Sequence, residues 1–330
     1  MGSAGSITDV PGTKVGHAEN TKAFTGCTVI TWEEGAVCSV DVRGSAPGTR
    51  ETDLLDPTGL VDRVHAVCLS GGSSFGLDAA GGVVAWLEEK GIGVDVGVGV
   101  VPIVPSAVLF DLSIGDPKVR PDRDMGYRAA ALATPTEDRE GNVGAGCGAS
   151  VGKLGGFEGA MKAGIGTASV RYPNGLVIGA IVALNAMGEV RDPRTGELLA
   201  GSLDREGHPV DSRSWLYDKP FAFTNIPQGT NTTLAVVASN AKLTKAQAKK
   251  VAEMAHDGLA RTIYPVHTMF DGDTVFAAAT GEVEASVDLV GAVSAEVLAT
   301  AIVRAVMTAD GAGGLPAYRD LRKRRLEGDA

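Results

Sequence analysis

Hydrophobic and polar positions change period several times along this chain, and the changes mark out short strands and a few helices. In residues 23–42 (AFTGCTVITWEEGAVCSVDV), Cys27, Val29 and Thr31 alternate with Thr28 and Ile30. Val37, Ser39 and Asp41 then alternate with Cys38, Val40 and Val42. The pattern predicts two strands around a short turn at Glu33–Gly35. Residues 64–69 (VHAVCL) read as another strand, followed by GGSSFG and a helix from Leu77 to Lys90 that Gly91 stops. Residues 92–104 read as one strand or a pair, and residues 122–132 as a short helix. Residues 165–170, 175–184 and 189–190 read as strands of one sheet. Thr232 to Ala238 is a clean strand, and an amphipathic helix from Lys245 to Ala260 follows a cap at Thr244. A strand from Thr274 to Thr280 and a helix from Glu284 or Asp288 to Ala309 complete a mixed α/β pattern without internal repeats.

Two segments break this rhythm. Residues 141–156 (GNVGAGCGASVGKLGG) are rich in glycine, yet carry Val143, Cys147, Val151 and Leu154 at intervals unlike those of a polar linker. They read as backbone packed closely against something else, with Lys153 the one charged side chain inside. Residues 191–230 are polar and turn-rich, with Pro193, Pro209, Pro220 and Pro227. So long an irregular stretch inside a compact fold is a lid, a linker or a processing region.

Composition narrows the function. Of 330 residues, 44% are hydrophobic and 21% charged, enough for a sizeable core, while aromatics are only 5% and glycines number 45. A formal net charge of -10 argues against nucleic acid and against an anionic membrane surface. The basic run Arg319 to Arg325 is a local exception that reads as a solvated tail. The start lacks a secretory pattern and no apolar run is convincingly membrane-like, so a cytoplasmic home is expected by default. Cys27, Cys38, Cys68 and Cys147 lack metal-ligand spacing and read as buried free thiols. No metal and no cofactor is expected.

The chemistry concentrates near Asn231-Thr232, where the long irregular segment meets a hydrophobic strand. Threonine is also an ordinary strand residue and cap. No Ser/His/Asp arrangement is evident, and of the five histidines only His267 lies near other polar candidates. In HTMFDGDTVF, Asp271 and Asp273 stand two apart before a strand, which in extended backbone puts both on one face. The glycine turn with Ser73 and Ser74 has neither G-x-S-x-G nor Walker spacing. It can present N–H groups to an oxyanion, or simply cap a helix.

These stretches, with ITDVPGTKVGH, LSGGSSFGLDAAGGVVAWLEE, LNAMGEV, GTNTTLAVVASNAKLTKAQ and HTMFDGDTVFAAATG, run through nearly the whole chain. Together they resemble the nylon oligomer endo-hydrolases, within the wider family of β-peptidyl aminopeptidases and L-aminopeptidase/D-esterases. The resemblance implies an α+β fold, a four-layer αββα sandwich of the N-terminal-nucleophile-hydrolase type. It implies one hydrolase domain that cuts itself into an α chain, 1–231, and a β chain, 232–330, which stay associated, with homotetramers of the αβ unit expected. It implies Thr232 as nucleophile, freed by a cut after Asn231, with Lys153, Asn185, Asp271 and Asp273 around the scissile bond. Plain alternatives are a surface lysine, a turn asparagine and turn-forming aspartates. Ser73, Ser74 and Tyr127 are pocket candidates, Tyr127 on a poor local match. The implied substrate is a small oligoamide such as a 6-aminohexanoate oligomer. The rivals are an aminopeptidase, with Asp122, Asp124 or Glu158 to hold the substrate ammonium, an acyltransferase resembling ornithine acetyltransferase, and an inert binding protein.

Overall fold

A computed structural model describes residues 5–218 and 230–328. Its main sheet is built from β1 (Lys14–Asn20), β2 (Thr25–Val42), β3 (Arg63–Ser70), β4 (Ser106–Val108), β5 (Ile165–Arg171), β6 (Val177–Asn185), β7 (Thr232–Ala241) and β8 (Thr274–Val283). The order is β5-β6-β7-β8-β2-β3-β4, then the short edge strand Thr49–Arg50, with β1 paired to β2. β7 and β8 are parallel, and β6 and β2 flank them antiparallel.

β2 decides the architecture. The turn expected at Glu33–Gly35 is a bulge within one strand of 18 residues. Gly35 takes a φ of 71°, and the register with β3 slips between Thr31 and Ala36. A glycine in the left-handed region serves a bulge as readily as a turn, and a bulge bends a strand without ending it. The first half of β2 pairs with β1 and β3, and the second half with β8, so the sheet folds over on itself.

Strand alternation then yields four layers. On β7, Leu234, Val236 and Ala238 join Ile181 and Ala183 of β6, Phe276 of β8 and Ile30 and Trp32 of β2 in a core between the two sheet halves. The opposite face, with Ala235, Val237, Val275 and Ala277, packs under α3 (Lys245–Thr262) and α4 (Val287–Met307). Cys27, Val29, Ala66 and Cys68 face the other way, under α1 (Ala79–Glu89) and α2 (Arg123–Ala131). This is the αββα sandwich that the resemblance implied. α4 is long and apolar enough to cross a membrane, but two-thirds of its most apolar window is buried in the fold. The Thr244 cap is a full capping box with Gln247.

Other expectations change. Glu189–Arg191 leaves the main sheet and pairs with Leu198–Ala200 and Ile263–Tyr264. Residues 92–104 give only a two-residue hairpin, Val94–Asp95 with Val100–Val101. Within 191–230, the helix Ser212–Asp218 and the strand Leu198–Ala200 replace part of the expected irregular stretch, and residues 219–229 lie outside the described residues. The basic run sits on a helix, Tyr318–Gly328. All four cysteines are buried and free, and burial pushes the Cys38 thiol up to about 12.

Candidate active site

Thr232 opens β7 directly opposite Asn185, the last residue of β6. Directly opposed residues of an antiparallel pair project to the same face. Here that face continues through Ala183 and Leu234 into the core between the sheets. The Thr232 side chain therefore stands buried at the end of the inter-sheet layer. Its hydroxyl donates to the carbonyl oxygen of Asn231. The same oxygen accepts the Gly272 N–H at 2.9 Å, and Asn231 forms a parallel bridge with Asp271. A Cβ on Gly272 would lie 2.7 Å from Thr232 Oγ1 and 2.7 Å from the Ala46 carbonyl oxygen, so the close approach needs glycine.

Asp271 and Asp273 are both buried beside this junction. Asp273 accepts the Thr233 N–H through Oδ1 at 2.7 Å. Its Oδ2 accepts the His267 backbone N–H at 3.1 Å and lies 2.8 Å from His267 Nδ1. Asp271 holds the preceding turn, taking the Thr268 N–H at 3.0 Å and the Thr268 hydroxyl at 2.5 Å. Its other oxygen reaches the Met187 N–H at 3.4 Å. Burial, then the neighbouring Asp273 charge, pushes the Asp271 carboxyl up to about 6. The two carboxylates bracket the start of β7 from the backbone side. Their hydrogen bonds go to Thr233, His267, Thr268 and Met187.

Lys153 is buried, not a surface lysine. Its Nζ donates to Asn185 Oδ1 at 2.8 Å and to the Asn185 carbonyl at 3.3 Å. The Ser150 N–H donates to the same Oδ1 at 3.1 Å, while Asn185 Nδ2 donates to the Phe110 carbonyl at 3.0 Å. Two donors on the oxygen and one acceptor on the nitrogen fix which way the amide points. Burial lowers Lys153 to about 7, against the pull of Asp271. The glycine-rich run 141–156 is what lets a lysine enter so deeply: the Gly152 N–H and Lys153 N–H tie the backbone to the Gly188 and Met187 carbonyls at 3.0 and 2.8 Å. A second buried cation, Lys162, lies among the carbonyls of Ala149 and Ala163, and burial lowers it to about 8.

The remaining candidates sit elsewhere. Tyr127 is on α2, in an outer layer, with its hydroxyl donating to Glu89 at 2.7 Å. Ser73 has a φ of 53° in the turn after β3, where its N–H binds the Leu109 carbonyl at 2.9 Å, and Ser74 is exposed. That turn reaches the site region through Asp111, which accepts the Gly72 N–H at 2.7 Å and follows Phe110 in the chain. Asp122 caps α2 through the Met125 N–H at 2.9 Å, Asp124 pairs with Arg128 at 2.9 Å, and Glu158 is exposed. The contacts of Gly272 and His267 went unread in the sequence, although both lie inside HTMFDGD. Their signal was the crowding of polar residues around one glycine.

Known proteins of the same kind fit this picture. The chain is 44% identical, over 96% of its length and 97% of the relative's, to an uncharacterized aminopeptidase of Mycobacterium tuberculosis. It is 34% identical, over 84% of its length and 75% of the relative's, to a 6-aminohexanoate-oligomer endohydrolase of a Kocuria species. Among solved structures it is similar to the L-aminopeptidase D-Ala-esterase/amidase of Ochrobactrum anthropi, described as a variant of the Ntn hydrolase fold. The TM-score is 0.73 at 19% identity, over 99% of this chain and 96% of that one. A Burkholderia β-aminopeptidase gives 0.71 at 22% identity, over 99% and 96%. The model of peptidase family S58 matches residues 5–318, and the chain belongs to that family of hydrolases.

Proposed function

We propose that this protein is a self-processing amide hydrolase whose nucleophile is Thr232, freed by a cut after Asn231. One observation carries the reading. The Thr232 hydroxyl lies against the carbonyl it would attack, and the Gly272 N–H already donates to that carbonyl oxygen at 2.9 Å. In self-cutting, Thr232 Oγ adds to the Asn231 carbonyl carbon and the Gly272 N–H stabilises the oxyanion. The C–N bond breaks, its nitrogen takes a proton, and Asn231 is left as an ester on Thr232 Oγ. Water hydrolyses the ester, giving the Asn231 carboxylate and a free Thr232 amine and hydroxyl.

The freed α-amine, with an ordinary pKa near 8, serves as the base for its own hydroxyl, so no histidine base is required. Substrate then acylates Thr232, the amine product leaves, and water releases the acid. Asn185, on the same face, has a second amide N–H for the substrate oxyanion. Lys153 supports the negative charge that develops there and keeps the Thr232 amine neutral. Asp273 and Asp271 orient the strand start. The cut chains stay together because β7 lies between β6 and β8, with β6 in the other fragment. A homotetramer of the αβ unit and a cytoplasmic home belong to the same proposal.

Denaturing gels of the purified protein are expected to show two fragments, with the smaller starting Thr-Thr-Leu-Ala. A chain that stays whole, or a fragment starting elsewhere, rejects the reading. Gly272→Ala is expected to slow self-cutting by about 10²-fold, the effect of losing one well-placed oxyanion contact or of a displacement on the order of 1 Å. Normal cutting in that variant would show that the close approach of Gly272 is not needed.

For substrate, we propose linear oligoamides with methylene backbones such as 6-aminohexanoate oligomers, cut internally. Support comes from the endohydrolase relatives and from glycine, alanine and valine in the site-forming segments. Each buried CH₂ contributes about 0.8 kcal/mol wherever the cut amide lies along the chain. The aminopeptidase reading is favoured by the name of the 44% identical relatives. It requires a carboxylate for the substrate ammonium, because burying that charge unpaired is costly. A defined hexamer of 6-aminohexanoate, free and N-acetylated, separates the two. Mid-length products from both forms are expected. Monomer alone from the free form, with no cutting of the acetylated one, establishes the aminopeptidase instead.

A further inference from the structure

We infer that His267 is a positioning residue for this reaction, holding the Asp273 carboxylate that fixes the start of the nucleophile strand. The inference rests on the reading of Thr232 as nucleophile. Asp273 is buried, and its two oxygens are divided between two tasks. Oδ1 holds the Thr233 N–H at 2.7 Å, one residue from the nucleophile. Oδ2 is held by His267, through its backbone N–H at 3.1 Å and its ring Nδ1 at 2.8 Å. A carboxylate accepts and cannot donate, so the ring nitrogen facing it carries the proton.

The histidine is held with unusual care. Its φ is 56°, in the left-handed region that is uncommon outside glycine, although histidine enters it more readily than most side chains. Such strain persists only where surrounding contacts over-determine it. Its ring also meets His256 of α3 edge-on, with centroids 4.8 Å apart and planes at 73°. His256 Nε2 lies 3.0 Å from the Asp41 carbonyl at the end of β2. Burial lowers His256 to about 4, so it adds no positive charge beside His267 near neutral pH. The other charged groups nearby are Asp41, paired with Arg43 and Lys249, and Asp271 across the Thr268 turn. A line of contacts thus runs from Thr233 through Asp273, His267 and His256 to Asp41, tying the strand that opens with the nucleophile to α3 and β2.

Without the ring N–H, Asp273 Oδ2 keeps only the longer His267 backbone contact at 3.1 Å, so the carboxylate is held less firmly and the start of β7 loosens. A misplacement on the order of 1 Å costs about 10²-fold in rate. The test compares three variants of the full chain. His267→Gly tolerates the positive φ and keeps the backbone N–H, but removes the ring donor. His267→Phe keeps a ring against His256 without a donor. His267→Asn tolerates the positive φ and carries an amide N–H in the place of Nδ1. We expect Gly and Phe to slow self-cutting and to lower kcat by about 10²-fold with KM little changed, as displacement of a reacting group does. Asn is expected to restore both rates to within a few-fold of the natural chain. Normal rates in a folded Gly or Phe variant overturn the inference. So does an Asn variant as slow as Gly, because the donor is then not what matters. Should either Gly or Phe fail to fold, the other decides against Asn. Failure of the natural chain to cut before Thr232 is a separate outcome, which removes the nucleophile reading and this inference with it.

Discussion

A Thr232→Ala chain is expected to run as one band at the full 33.7 kDa and to hydrolyse no amide. The loss should be complete because the proposed mechanism gives one oxygen both reactions. The hydroxyl that lies against the Asn231 carbonyl is, on the proposed reading, the same hydroxyl that takes the acyl group of each substrate. Removing it leaves Gly272 donating to an intact peptide and exposes no amine to act as base. Thr232→Ser keeps the oxygen and should still process, since Ser and Thr differ there by one methyl group. Its rate is expected to fall rather than vanish, because the methyl group limits side-chain rotation at a buried position. Band patterns, mass of the light fragment and amidase rates measured together give the answer. Cutting in the alanine chain would mean another group attacks the junction.

The sequence made part of this arrangement legible. Thr232 to Ala238 alternates toward two different cores, and such a strand announces itself wherever both faces are apolar. The Thr244 cap was equally plain, since a threonine three residues before glutamine satisfies the helix end locally. Lys153 stood out as one charge within an apolar, glycine-rich run, which suits burial better than solvent. What stayed hidden depends on contacts distant in sequence. Gly35 reads the same in a turn as in a bulge, so the continuity of β2, and the folding over of the sheet, appear only once both neighbours are placed. Glu189–Arg191 is too short to reveal which sheet it joins. Tyr127 satisfies its hydroxyl with Glu89 on a neighbouring helix, a pairing 38 residues apart that no local pattern contains. His267 reaches Asp273 through a positive φ that a histidine does not advertise.

Lys153→Met is expected to reduce self-cutting and amidase rates by about 10²- to 10³-fold, the range seen when one oxyanion-stabilising donor is lost. The ammonium donates to both oxygens of Asn185, and methionine matches its length without its charge. Without it the Asn185 amide keeps Ser150 and Phe110 as partners but loses its strongest restraint. The same substitution should change how stability depends on pH. Burial lowers Lys153 from 10.5 to about 7, so between those values the unfolded chain binds the extra proton. Stability contributed by this group is therefore present above pH 10.5 and is lost as pH falls through 7. Lys162, lowered to about 8, acts with the same sign, so the methionine variant should keep a shallower slope rather than none. Asp271 and Asp111, both raised to about 6, act the other way. They bind protons more tightly when folded, so their contribution is full below pH 3.8 and fades as pH rises through 6. Between pH 4 and 6 they are opposed by His17 and His256, both lowered by burial to about 4, so the two lysines set the clearest expectation: urea midpoints of chains kept whole by Thr232→Ala should rise from pH 7 to 9. Lys153→Met should flatten that rise. A variant that loses activity while the rise from pH 7 to 9 stays as steep as before would place the lysine charge in water, and its effect on rate would then need a cause other than a buried ammonium beside Asn185.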